Sequence, residues 1–280
     1  MRSGLVLGAL LLAGAPLAQA QSMRDYSVTR QRHSEGRLNA RLEFASGTIH
    51  VVPGADDQLY HMLLRYDPER FLPVSDFDAG SGTVALGLTN SGKSGLRVSS
   101  RSQLTQLATV ELSPAVALAL DMQLGAADAE VELGGLRLTD LSVATGASQT
   151  SIAFSRPNRI RCSTLRVESG ATQLDLVRLG NSRCQQVVIS GGVGQTTLDL
   201  RGAWGAGSSV TVKMTMGGLT LRIPRGLGVK VRSEQFLSRF PSAGWTRTGG
   251  AFLSPGYART SSHVDLDLET ALGSVSVEWM

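Results

Sequence analysis

Apolar residues in this chain fall in apolar-x-apolar triplets, and the triplets come in pairs around a glycine. The pairs are Met122–Leu124 and Val131–Leu133 about Gly125, Leu141–Val143 and Ile152–Phe154 about Gly146, and Leu165–Val167 and Leu174–Leu176 about Gly170. Val187–Ile189 and Leu198–Leu200 follow about Gly191, then Val212–Met214 and Leu219–Leu221 about Gly217. The glycines stand 21, 24, 21 and 26 residues apart. Strand, glycine turn, strand at such a period predicts a solenoid. Within a triplet the outer residues face the core and the middle one faces out, because side chains alternate along a strand. Shortened copies recur at Leu42–Val51 and at Val264–Val277. The expected fold is all-β: a right-handed β-solenoid with an N-terminal β module and a C-terminal aromatic cap.

The predicted boundaries are a signal peptide at 1–20, a flexible leader at 21–37, the N-terminal module at 38–110 and the solenoid at 111–280. The signal rests on Arg2, the apolar run Leu5–Leu12 and the small-x-small site ending at Ala20. It predicts an exported chain, periplasmic or extracellular, beginning at Gln21. Later apolar runs are far shorter than the ~20 residues of a membrane helix, so no transmembrane segment is expected in the mature chain. Between 59 and 77, Pro68 and Pro73 forbid a continuous helix. In 232–262 the repeat gives way to Phe236, Phe240, Trp245, Phe252 and Tyr257 with prolines and glycines. A solenoid needs its open ends capped. Trp245, Tyr257 and Phe252 are therefore candidates either for a cap or for an exposed ligand-binding patch.

Composition refines this picture. Aromatic content is 5% and Gly is 32 of 280, which suits a turn-rich β protein. Net charge is +4, from arginines scattered along the chain, and the dense basic stripe of a nucleic-acid binder is not evident. The two cysteines, Cys162 and Cys184, each stand three residues before a triplet. On adjacent coils about 4.8 Å apart they fall within disulfide reach, and export permits the bond. Two buried free thiols are the alternative. A metal site lacks the further ligands it would need.

Catalytic signatures are missing: there is no H-E-x-x-H, G-x-S-x-G or Walker loop, and the histidines are dispersed. Asp175 and Asp199, expected in equivalent slots of neighbouring rungs, are the only acid pair that could serve a glycan-active β-helix enzyme. Calcium bridging between them is a lesser possibility. No cofactor is expected.

The L-x-V-x-x-G-A-x-x-x-L-D-L phrases, together with Gly244-Trp245, Ser254–Tyr257 and 263–279, resemble the toastrack-type β-solenoids. These include the LiaF-like cell-wall-active antibiotic response domains and related adhesin domains. Residues 51–68 resemble the N-terminal toast-rack module. The resemblance covers most of 38–280 and implies a structural fold without catalytic residues. The function it implies is a non-catalytic envelope scaffold or interaction surface, in stress response or adhesion. The expected partner is an envelope protein or a cell-surface polymer, and self-association is compatible. The alternative is a polysaccharide-binding module that uses Trp245 and Tyr257.

Overall fold

The structure, a computed structural model, describes residues 23–92, 105–237, 240–241 and 243–280, without the side chains of 235–237. The expected signal segment, Ala20 and Gln21 lie outside the described residues. In chain order the strands are β1 (Arg24–Gln31), β2 (Arg37–Pro53), β3 (Gln58–Tyr66), β4 (Phe71–Asp78), β5 (Thr83–Asn90), β6 (Leu107–Leu112), β7 (Ala117–Glu132) and β8 (Leu138–Ala153). Then come β9 (Cys162–Val177), β10 (Cys184–Asp199), β11 (Ser209–Ile223), β12 (Leu227–Leu237), β13 (Thr246–Thr248), β14 (Ala251–Leu253) and β15 (Ser262–Trp279).

All of them join one sheet. Its spine is the parallel stack β2-β7-β8-β9-β10-β11-β15-β12. The molecule is therefore the all-β solenoid that the triplets predict.

Each long strand is two arms joined at a corner, and burial shows why. In β7 the inward residues are Leu118, Leu120, Met122 and Leu124, then Ala127, Ala129 and Val131. The parity switches across Gly125 and Ala126, so the ladder continues while the inward face turns. A return segment forms the third side of each rung. It buries Leu133 and Leu136 after β7, Phe154 after β8, Leu179 after β9 and Leu200 after β10. The core is the column of apolar side chains that these three sides enclose.

Register corrects the glycine assignment. A Cβ on Gly146 would meet the Gly125 carbonyl oxygen at 3.0 Å, one on Gly170 would meet that of Gly146 at 3.0 Å, and one on Gly192 would meet that of Gly170 at 2.8 Å. The corner glycine of β10 is thus Gly192, because Ser169 pairs with Gly191 and Ala171 with Val193. Gly217 belongs to a second column two residues further on, paired with Gly194 and Gly273. Gly194, Gly217 and Gly273 have φ of 144°, 141° and 139°, a region that side chains disfavour.

The ends are built differently from the middle. The outer edge of β2 is shared by two strands: β5 pairs with Asn39–Phe44 and β6 with Thr48–Pro53. Antiparallel β4 extends β5, while β3 and then β1 extend β6. Within the segment expected to be a flexible leader, Arg24–Gln31 form strand β1. Tyr26 and Val28 pack on the core at every second position, and this alternation holds the segment in the sheet. At the other end, β15 inserts between β11 and β12, and the short β14 and β13 extend β12 antiparallel.

Candidate functional site

The expected cysteine staple is present. Cys162 and Cys184 pair across β9 and β10 with Cα atoms 4.1 Å apart, and they form a disulfide. Both are buried. Just behind them, the return segments stack through asparagines. Asn158 Nδ2 donates to the carbonyls of Leu138 (2.8 Å) and Ile160 (3.0 Å), and Oδ1 accepts from the Leu138 N–H at 2.8 Å. Asn181 Nδ2 donates to the Phe154 carbonyl at 2.9 Å, and its Oδ1 accepts from the Ala203 N–H. Buried backbone groups that a turn would orphan are thereby paired. Sequence reading passed over both residues. The recurrence of an asparagine in the returns after β8 and β9 was the available signal.

Asp175 and Asp199 lie on neighbouring rungs but are not side by side. Asp175 pairs with Thr197, and Asp199 pairs with Arg222. The L-x-L triplets on β9 and β10 can be aligned with a slip of two residues, and the ladder chooses the slipped alignment. Asp199 is 2% exposed and held by Arg201, whose Nε donates to both carboxylate oxygens at 2.9 Å and whose Nη2 donates at 2.5 Å. Burial alone would raise the Asp199 carboxyl. The Arg201 guanidinium, the Arg201 backbone N–H and the positive charge outweigh burial and hold its pKa below the ordinary carboxylate value. A carboxylate committed to its neighbour in this way is a structural ion pair.

The histidines are less isolated than their sequence positions suggest. His61 lies between Ser27 (Oγ to Nε2, 3.4 Å) and Glu111 (Nδ1 to carboxylate, 3.6 Å) on β3, β1 and β6. Both separations exceed the range typical of a nucleophile, base and orienting acid, and β3 is paired on both edges. Among the described residues no group of three His, Cys, Asp or Glu side chains is placed to hold a metal ion.

The aromatic segment forms one cluster. Phe240 meets Trp245 edge-on at 5.1 Å and Phe252 at 5.0 Å, and Trp245 also meets Trp279 of β15 at 5.4 Å. Arg247 lies 5.8 Å over the Phe252 ring. Tyr257 packs apart from this cluster, on His263 at 4.6 Å.

Outward columns run across the rungs, and two surface features repeat with them. At the corner Ala171, Val193, Met216 and Leu272 align in register, and the last three are 53%, 46% and 38% exposed. Beside them an open hollow of about 600 Å³ is lined by Ser190, Lys213, Glu234 and Glu269, with Lys213 and Glu269 paired at 2.8 Å. No described helix is long and apolar enough to cross a membrane.

Among solved structures, a "putative cell adhesion protein" from Clostridium sporogenes ATCC 15579 is similar at TM-score 0.53 and 14% identity, over 92% of this chain and 100% of the other. A "putative adhesin" (BF0245) from Bacteroides fragilis NCTC 9343 superposes at TM-score 0.44 and 12% identity, over 92% and 98%. Among curated protein sequences none matches. The family described as "N-terminal domain of toast_rack, DUF2154" matches residues 18–163, a span that runs from ahead of β1 to the start of β9. With more than half its length matched and the rungs in the expected stack, the chain belongs to the toast-rack family.

Proposed function

We propose that the protein is an exported, non-catalytic component of the cell envelope whose stacked rungs present an interaction surface, in adhesion or in envelope-stress response. The observation that carries this reading is the register of the outward columns. It sets Asp175 opposite Thr197, and the buried Asp199 is held apart by Arg201 two residues on, leaving a repetitive face in place of a paired-acid site. The disulfide supports an oxidising compartment, as does the signal-like N-terminus. The likeness to the Clostridium sporogenes protein supports the fold on which the reading rests. We assign Trp245 and Phe252 to the end cap, on the support of their ring contacts with Phe240 and Trp279.

The test is to produce the full chain in a bacterial host and measure localisation and attachment of cells to surfaces. The expected result is an extracytoplasmic protein with Cys162 and Cys184 oxidised. Attachment should depend on the protein and be retained by the Ser27→Ala and Asp175→Asn variants. Retention in the cytoplasm, or an attachment phenotype lost with Asp175→Asn, would sink the reading.

A further inference from the structure

Arginines that look scattered along the sequence are gathered in space. The return segments 133–137, 154–161 and 178–183 contain no Asp or Glu and carry Arg137, Arg156, Arg159, Arg161, Arg178 and Arg183. Hydrogen bonds stack these segments: Arg159 N–H to the Leu136 carbonyl at 2.9 Å, Asn158 N–H to that of Asn181 at 2.7 Å, and Cys162 N–H to that of Arg183 at 3.2 Å. All of these arginines except the half-buried Arg137 are exposed.

The guanidinium partners of four of them are neutral, while the Arg178 backbone N–H donates to the Asp199 carboxylate. Arg156 donates to the Gly134 carbonyl, Arg159 to Pro114, Arg178 to Ser155 and Arg183 to Asn158, at 3.1–3.4 Å. The adjoining Glu132 accepts the N–H groups of Gly134 and Ser155. Among the described residues, the ion pair beside these turns is Arg201 with Asp199, one rung further on.

Backbone geometry adds an independent sign. Arg178 and Arg183 flank the 3₁₀ turn Leu179–Ser182 with φ of 55° and 54°. Left-handed backbone costs a residue with a Cβ about 1 kcal/mol, and Gly or Asn is the usual occupant. Such outliers concentrate where a side chain is used. Next to Arg183, a hollow of about 290 Å³ is lined by Arg161, Ser163, Gln185 and Ser208, a wall rich in hydrogen-bond donors.

We propose that this return face binds an anionic polysaccharide, with successive arginine-bearing turns engaging successive carboxylate or sulfate groups of one chain. The proposal rests on the interaction-surface reading and names the surface and the partner class. Guanidinium forks match these oxyanions. One exposed pair is weak, but a polymer that meets turn after turn at the rung spacing of about 4.8 Å gains by multivalency. A bilayer fits less well, because interfacial binding combines basic charge with inserted apolar side chains. None of the large exposed hydrophobic residues lies in these segments.

The test measures binding of the full chain to polygalacturonate, heparin, neutral dextran and phosphatidylglycerol vesicles, at low and raised salt. A face variant (Arg156→Gln, Arg159→Gln, Arg178→Gln, Arg183→Gln) is compared with a control of equal charge change (Arg41→Gln, Arg65→Gln, Arg166→Gln, Arg259→Gln). The expected result is salt-sensitive binding to an acidic glycan that weakens about tenfold or more in the face variant and far less in the control. Equal losses, an unaffected face variant, binding to vesicles without binding to glycans, or no binding at all would each overturn the proposal. If circular dichroism shows the face variant unfolded, phenylglyoxal modification of the wild type decides. Polygalacturonate should then shield Arg156, Arg178 and Arg183 over Arg41 and Arg166, and uniform modification would reject the site. Cell attachment that persists without glycan binding would retain the scaffold reading and reject this ligand alone.

Discussion

The backbone N–H of Asn158 donates to the carbonyl of Asn181 at 2.7 Å, so the return turns of consecutive rungs are joined through two buried asparagines. The side chain of Asn158 also satisfies both backbone groups of Leu138. Asn158→Ala would orphan those groups inside the rung and should cost about 3 kcal/mol. Asn158→Asp should cost more, because it sets a carboxylate against two carbonyls. Chemical denaturation checks both, and an unchanged midpoint for Asn158→Ala would show that the turn does not depend on this bond.

The Cys162–Cys184 bond closes a separation of 22 residues between adjacent rungs. Reduction, or replacement of both cysteines by serine, should lower stability by about 3 kcal/mol through the loop-closure term. The melting temperature under oxidising and reducing conditions measures this. The double-serine variant should be insensitive to reductant.

Asp199 supplies a pH signature. Its folded pKa lies below the ordinary carboxylate value. The stability it contributes is therefore present above the unfolded pKa of about 4 and is lost as pH falls through the folded value. Asp199→Asn should be less stable than the wild type at neutral pH, and the difference should shrink as pH drops below about 4. A difference independent of pH would mean that the pairing with Arg201 contributes nothing to folding.

Glycines at and beside the corners differ in tolerance, and register says which. A Cβ on Gly191 would find ordinary contacts, the nearest at 3.5 Å, whereas one on Gly217 would overlap the Gly194 carbonyl from a φ of 141°. Gly217→Ala should cost about 2 kcal/mol or more, and Gly191→Ala should be close to neutral. Thermal melts of the two variants compare them directly, and equal losses would contradict the observed register.

Trp245 separates packing from recognition. Its ring sits between Phe240 and Trp279, and its indole N–H is buried without a hydrogen-bond partner among the described residues. Trp245→Ala should cost about 2 kcal/mol. Trp245→Phe should cost little, since it also removes an unsatisfied donor. Unchanged melting for Trp245→Ala would point to a ligand-binding ring.

The rung pattern was legible because burial imposes period two on each arm and the pattern resumes after each short return. Met122 and Leu124, or Leu165 and Val167, identify inward positions without ambiguity. Register was not legible to the residue. Leu174, Leu176, Leu198 and Leu200 satisfy either alignment, and Gly191 and Gly192 are both glycine, so cross-strand hydrogen bonding makes the choice. β1 was hidden because its outer face is polar and its inner positions include Arg30. The arginine face was hidden for a geometric reason: its members belong to turns that are neighbours only once the chain has coiled.

The last strand in sequence order does not end the stack. β15 lies between β11 and β12, although β12 is made first. A chain emerging N-terminus first can add rungs one at a time as far as β11, and then leaves beside β12 a vacancy that β15 fills. Closure of the stack thereby waits on β15, and a chain cut before residue 262 would expose two unpaired strand edges in place of a shorter intact rack.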